Sequence, residues 1–258
     1  MSLNDVQVVV ADTDTARRFH YRLRYQVFCL ETGFEDAAKY PNGLEKDEFD
    51  NRSEHFIVRS KRSGEWLATA RLILPGEDSL PIERYCKVSR HKPTFTETAE
   101  FSRLLIATHI RRRNNSENMI LAPGSARRSP SLVAYQERQQ TKQILIELIR
   151  SMAAYGLERN ITGAAFFITR ALARILMQMG IDLRAIGDPC WHRGIRFPYI
   201  SSAADVYATL SRLAGYDREE PNYYRQYKLF SELVGGISDP NVNGNYPMKR
   251  SGHVALIT

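Results

Sequence analysis

The chain has 258 residues, 43% hydrophobic and 25% charged, with 15 glycines and 11 prolines. A chain of this kind buries a core without help from disulfides or metals, and collagen, coiled coil and wholesale disorder are excluded. Lys and Arg number 36 against 29 Asp and Glu, a formal net charge of +7, which favours acidic partners without choosing among nucleic acid, anionic lipid and an acidic protein.

The longest apolar runs, Gly163 to Ile168 and Leu104 to Ala107, are strand-sized and well short of the about 20 residues a spanning helix needs, so no transmembrane segment is expected. Val8 to Ala11 has no basic flank before it, which argues against a secretory signal and for a cytoplasmic location. Cys29, Cys86 and Cys190 are odd in number and widely spaced. They read as reduced, structural thiols rather than a disulfide framework or a zinc site, and no metal site is expected.

Residues 15 to 31 place Phe19, Leu23, Val27 and Leu30 on one apolar face with Arg17, Arg18, Arg22 and Arg24 between them, which predicts a first helix. A polar stretch follows, with Gly33, Pro41, Asn42 and Gly43 among the acids Glu35, Asp36, Glu45, Asp47, Glu48 and Asp50. It reads as a long loop, and long loops inside compact domains are often functional. His55 to Arg59 and Trp66 to Leu74, joined by Ser60-Lys61-Arg62-Ser63-Gly64, predict an antiparallel hairpin. A third strand runs from Ala99 to Ile106, with Glu100 and Ser102 on one face and Phe101 and Arg103 on the other. Charges entering so apolar a strand point to a cleft.

Arg111, Arg112, Arg113, Arg127 and Arg128 lie in a basic loop rich in Asn, Ser, Pro and Gly. A helix is predicted over 139–155 and closed by Gly156, then a strand over 161–169, a helix over 170–179 closed by Gly180, and a strand near 195–200. Ser202 and Asp205 form a capping box for a helix to Leu213, and Tyr223, Tyr227, Phe230 and Val234 have the spacing of one more helix. The organisation expected is one α/β domain over 1–214, with a basic loop at 107–138, and a C-terminal helix and tail over 215–258 packed on it.

GxGxxG, Walker, CxxC and HExxH motifs are all lacking. The densest unusual cluster is Gly43-Leu-Glu-Lys-Asp-Glu-Phe-Asp-Asn51, which taken alone reads as a solvated acidic loop. Taken with its neighbours it forms a pattern: Arg24 and Phe28 in RLRYQVF, Phe34 in the next loop, Asp47 and Asp50 in GLEKDEFDN, Arg71 in ATARLI, Glu100 and Arg103 in EFSR. This order resembles the acyl-homoserine-lactone (autoinducer) synthases, well over residues 15–110 and in element order over 140–200. The longer segments YRLRYQVF, ETGFED, PNGLEKDEFDNRSEH and ATARLILP, with His55 and HRGIRFPY at 192–199, are similar to the acyltransferases associated with PEP-CTERM and exosortase systems and to the N-acyl amino acid synthases. The autoinducer synthases usually carry Trp where this chain has Phe34.

The resemblance implies the N-acetyltransferase (GNAT) fold, a mixed twisted sheet with a central cleft and helices on both faces, and an N-acyltransferase moving a fatty acyl group to the amine of a small amino-acid-like acceptor. An α-amino group with pKa near 8 needs only a weak base. Glu100 is the candidate to hold the ammonium and relay its proton, with Asp47 and Asp50 supplying negative charge that draws a cationic amine in and Arg71 and Arg103 beside them. The bland reading of Glu100 is an ion pair with Arg24, Arg71 or Arg103. Arg24, Phe28, Phe34, His55 and Ser102 are candidate substrate contacts, His55 being either a second base or a strand-start histidine with structural hydrogen bonds. Phe166, Ile168, Leu172, Leu176 and Met179 are candidates for the acyl-chain wall or for plain core. Cys29 and Cys86 lack an evident base and read as buried apolar residues rather than nucleophiles.

The donor implied is an acyl-phosphopantetheine thioester, with no permanently bound cofactor. Where the Gly-rich loop of coenzyme A enzymes belongs, the chain reads Ser131-Leu-Val-Ala-Tyr-Gln-Glu-Arg. The five arginines of the basic loop are therefore candidates for docking an acidic acyl carrier protein, the alternative being a solvated basic loop without a partner. Homoserine-lactone synthesis from S-adenosylmethionine is the alternative within the class. The alternative outside it, a basic nucleic-acid-binding protein, is disfavoured because no aromatic residues interleave with Arg111–Arg113 or Arg127–Arg128, so no nucleic-acid partner is expected.

Overall fold

A computed structural model describes residues 5–88, 95–106, 130–216 and 227–234. Its centre is a mixed sheet with strand order β6-β8-β5-β4-β3-β2-β1-β9. The strands are β1 (Val6–Val10), β2 (Ser53–Ser60), β3 (Trp66–Ile73), β4 (Thr98–Ile106), β5 (Gly163–Ile168), β6 (Arg184–Ala185), β7 (Cys190–Trp191), β8 (Ile195–Ser202) and β9 (Lys228–Leu229). β1 through β4 form an antiparallel meander, whereas β4 and β5 are parallel. Parallel neighbours need a long crossover, which here includes helix α3 (Pro130–Leu157). The short β7 pairs only with β8, as a hairpin at the end of the sheet.

Alternation along β1 shows how the two layers are covered. Val6, Val8 and Val10 pack with Phe56 and Val58 of β2 in the main core, which also takes Ile144, Leu148 and Met152 of α3 and Val206 and Leu210 of α5 (Ala203–Leu213). Val9 and Ile57 point the other way, onto Ala16 of α1 (Asp14–Arg24). Period-two burial on a sheet sandwiched by helices gives the expected α/β architecture with helices on both faces. Residues Leu172, Ala173 and Leu176 of α4 (Arg170–Gln178) complete the main core.

Four local features depart from the sequence reading, the first being that α3 begins at Pro130, so residues 130–138 of the expected basic loop are helical. The first helix does not run regularly to residue 31: α1 ends at Arg24 and the chain winds on as a π-helix over Tyr25–Glu31, with Thr32 N–H donating to Val27 O at 3.1 Å. The wider turn carries Leu30 out of the apolar face, to 56% exposure, while Val27 and Phe28 stay buried. Near the C-terminus, Tyr227 is followed by strand β9, parallel to β1, before the short helix α6 (Phe230–Val234) begins; Tyr223 lies outside the described residues. Finally, Cys86 and Cys190 are not reduced thiols: they form a disulfide across 104 residues, leaving buried Cys29 as the free thiol. Sequence spacing could not reveal the pair, because the two cysteines meet only when the segment after α2 (Pro81–Tyr85) docks on the approach to β7. That docking is close: a Cβ on Gly187 would come within 2.3 Å of Lys87 O.

Candidate active site

β4 and β5 pair only over Thr98–Phe101 and Gly163–Phe166, ending with the stacked rings of Phe101 and Phe166 at 4.8 Å. Beyond that point the strands part, and a cavity of about 90 Å³ sits between Ser102, Arg103 and Leu104 on one side and Phe167 and Ile168 on the other. β4 is also bulged here. Thr69 faces Leu105 and Arg71 faces Ser102, so Arg103 and Leu104 together oppose Ala70. Arg103 takes up the extra residue in the left-handed region, at φ 51°, a conformation that costs a non-glycine residue about 1–2 kcal/mol. The bulge breaks the alternation read from the sequence, and Glu100, Phe101, Ser102 and Arg103 all line the cavity.

Behind this wall lies an ion network of three arginines and three acids. Arg24, fully buried at the end of α1, bonds Glu45 through Nε and grips both oxygens of Asp50 at 2.6 and 3.1 Å. Arg71 from β3 bonds Asp47 and Asp50, the latter at 2.8 Å, and donates to Ser102 Oγ at 3.2 Å. Arg103 reaches Glu45 at 3.0 Å and Asp47 at 2.8 Å. The loop is held in shape by a short 3-10 turn over Glu48–Arg52, in which the Asp47 and Asp50 side chains cap each other's backbone. Arg24 and Arg71 hold Asp50 far below the ordinary carboxylate range, and Arg24 and Arg103 bring Glu45 down to about 2 although burial opposes them. The negative charge expected to attract an amine is thus balanced inside the network. Asp47 reaches the cavity wall, but Asp50 and Arg24 do not line it.

Glu100 stands apart from these pairs. It is 2% exposed, its Oε2 accepts from the Ile82 N–H at 2.8 Å, and burial raises its pKa to about 8 against the weaker opposing pull of Ile82 and the arginines. Among the described residues it makes no ion pair with Arg24, Arg71 or Arg103. A carboxyl group balanced between its two protonation states near neutral pH, on the wall of a cleft, has the properties of an acid–base catalyst.

His55 lies elsewhere. It is 1% exposed, shares a hydrogen bond with the Tyr21 hydroxyl at 3.1 Å, and is driven down to about 3 by desolvation, so it is neutral and outside the cavity. The reading that survives is the structural one. Phe28 and Phe34 line the cavity, as do Ile168 and Leu172, whereas Phe166 is stacked in the core with Leu176 and Met179. Arg111, Arg112, Arg113, Arg127 and Arg128 lie outside the described residues.

The structure adds cavity residues to which the sequence reading gave no role: Tyr85, Glu35 in ETGFED, and His192, Arg193 and Arg196 in HRGIRFPY. Tyr85 stacks on His192 at 4.0 Å, and His192 on Phe167 at 5.6 Å. Arg193 sits at φ 52° just before Gly194 at φ 102°, the tight turn between β7 and β8. The available signal was the HRGIRFPY segment within the resemblance; its residue spacing does not show that the turn faces β4.

The mixed sheet, opening between β4 and β5, has the GNAT-type fold. Residues 23–120 match the model of the acetyltransferase (GNAT) domain. Among solved structures, the chain is similar to the coenzyme A-dependent acyl-homoserine lactone synthase BjaI with MTA (15% identity, 82% of this chain and 89% of that one, TM-score 0.55). It is also similar to TofI in a ternary complex with an inhibitor and MTA (17%, 80% and 96%, 0.55) and to the coenzyme A-dependent synthase MesI (15%, 81% and 95%, 0.52). At these identities the likeness is one of fold. Among curated protein sequences none matches this chain.

Proposed function

We propose that the protein is an N-acyltransferase that moves a fatty acyl group from an acyl carrier protein or coenzyme A thioester to the amine of a small amino-acid-like acceptor. The observation that carries this reading is Glu100, buried at the point where β4 leaves β5 and poised by that burial, with its pKa raised to about 8, to take up or give a proton. The acceptor enters as an ammonium ion and gives one proton to ionised Glu100 or to solvent. Its lone pair attacks the thioester carbonyl carbon, and the β4 backbone past Phe101 supplies N–H donors to the oxyanion. Collapse breaks the C–S bond; the thiolate takes the proton held by Glu100, and the second amine proton leaves as the amide forms. Ile168, Leu172 and Phe167 offer the apolar surface for the first carbons of the chain.

The test is incubation of the purified chain with acyl carrier protein thioesters or acyl-coenzyme A and a panel of amines, reading thiol release and N-acyl product by mass spectrometry. Absence of both with every donor and amine overturns the proposal. A second reading, homoserine-lactone synthesis, is favoured by the likeness in fold to BjaI, which is described with SAM and isopentyl-CoA. Thiol release that depends on S-adenosylmethionine, or that occurs with acyl-coenzyme A alone, selects that acceptor or that donor.

A further inference from the structure

The tip of the β7–β8 hairpin carries the most exposed large apolar side chain among the described residues. Trp191 is 79% exposed, and Ile195 is 58% exposed. The two are partners in the β7–β8 register, and directly paired residues of neighbouring strands put their side chains on one face, so together they form a single apolar knob. The frame holds this knob out. Cys190, just before Trp191, is bonded to Cys86, and the turn at Arg193 and Gly194 is tight, with φ 52° and 102°. It projects into open space, for a Cβ on Gly194 would meet nothing within 4 Å. Two more exposed rings stand beside the hairpin: Tyr85, stacked on His192, and Phe34, whose centroid lies 6.0 Å from the Arg196 guanidinium carbon. Both also line the cavity, so the knob stands by its rim.

The surroundings are basic. Between Phe167 and Phe197 the chain carries five arginines and two aspartates, with neither lysine nor glutamate. Ile168 faces Phe197 across the β5–β8 pairing, so α4 begins at the hairpin's end of the sheet, and Arg170 and Arg174 of its first turns are exposed and make no ion pair. The exposed area of Trp191 and Ile195 is on the order of 300 Å², well under the about 800 Å² per partner of a stable protein interface. A bilayer surface asks for less area. Trp settles at the headgroup level, and anionic lipids attract arginine placed beside it.

We propose that this tip docks the protein on an anionic lipid surface, with Trp191 and Ile195 inserted among the headgroups and Arg170 and Arg174 beside lipid phosphates. The inference stands apart from the acyltransfer reading, because it uses none of the residues assigned to the reaction. It also orients the cleft: Phe34 and Tyr85 at the cavity rim then face the membrane, the phase into which an acyl chain partitions.

The test is sedimentation of the full chain with phosphatidylcholine vesicles, with and without about 30% phosphatidylglycerol, read beside tryptophan emission. The other tryptophan, Trp66, packs against Phe19 and Phe230, so a blue shift on adding vesicles reports Trp191 and should vanish in Trp191→Phe. The wild type should bind the anionic vesicles at least tenfold more tightly than the neutral ones. Trp191→Ser with Ile195→Ser should weaken that binding at least tenfold and melt at the wild-type temperature, since both side chains are exposed. Arg170→Glu with Arg174→Glu should lose the preference for anionic lipid. No vesicle binding by the wild type overturns the proposal, and so does binding that leaves the emission unshifted, even if the double serine variant fails to fold. A wild-type dimer that the serine variant splits, or an acidic carrier protein that shifts the emission where vesicles do not, assigns the tip to protein contact and overturns lipid docking. Absence of thiol release with every donor removes the acyltransfer reading and leaves the docking result standing.

Discussion

Glu100 shows how one buried carboxyl group couples activity to stability. In the unfolded chain it titrates near 4.5, and in the folded protein near 8. Between those values the folded state holds a proton that the unfolded state has released, so stability falls as pH rises across that window. Glu100→Gln keeps an acceptor for the Ile82 N–H and removes the titration. The variant should melt higher than the wild type at pH 8 and the same at pH 4, by calorimetry. Its kcat should fall by about 100-fold or more, the usual contribution of a positioned acid–base group, with carrier-protein binding unchanged. The wild-type pH–rate profile should carry a limb near pH 8 that the variant lacks. A variant that keeps full turnover removes Glu100 from the mechanism.

At the scale of elements, the ion network ties α1, the loop after it, β3 and β4 into one unit. Arg24, Glu45 and Asp50 have fully buried side chains, so the loop turns Glu35, Glu45 and Asp50 inward while Asp36 and Glu48 stay exposed. Removing one partner strands the others. Arg24→Met should cost roughly 3–5 kcal/mol, because buried Glu45 and Asp50 each lose one of their two arginine partners; urea titration reads this directly. Acid has the same effect by another route. Glu45 is depressed to about 2, so its contribution is present above pH 4.5 and is lost as pH falls from there towards 2. Glu45→Gln should flatten that part of the acid-unfolding curve.

The sequence pattern placed α1, the β2–β3 hairpin, β4, β5, α4, β8 and α5 close to where they stand, because their apolar spacing is regular and tertiary contacts agree with it, and it did not foresee the two-residue strands β6 and β7. It missed features that depend on what comes from elsewhere in the chain. The π-turn that exposes Leu30 and the bulge that turns Arg103 inward each insert one residue into a regular period, and no periodic template anticipates an insertion. β9 is two residues long and owes its conformation to pairing with β1. The site was legible in the same proportion. Arg71, Asp47, Glu100, Ser102 and Arg103 were named because they fall in a compact run of motifs and come together around β4. Arg193 and Arg196 reach the cavity from the far end of the sheet, through a hairpin whose position the sequence does not encode locally.

For the whole molecule, the Cys86–Cys190 disulfide fastens that hairpin to α2. Tyr85 and His192, stacked at 4.0 Å, flank the bond in sequence on its two sides, and both line the cavity. A cross-link closing a loop of about 100 residues contributes roughly 4–5 kcal/mol on the chain-entropy account, less where the reduced chain keeps structure. At about 2–4 °C per kcal/mol for a chain of this size, reduction by dithiothreitol, or Cys86→Ser with Cys190→Ser, should lower Tm on the order of 10 °C. Activity should respond more selectively. Glu100 is held by β4 and the Ile82 N–H, on the far side of the bond from the hairpin, whereas His192, Arg193 and Arg196 are carried by the segment the bond restrains. Loosening it should raise KM several-fold while kcat at saturation changes little. Steady-state kinetics of the double serine variant, measured well below its melting temperature, decides the point: a fall in kcat with unchanged KM would show that the disulfide supports β4 and its carboxyl group and not the hairpin's wall of the cavity.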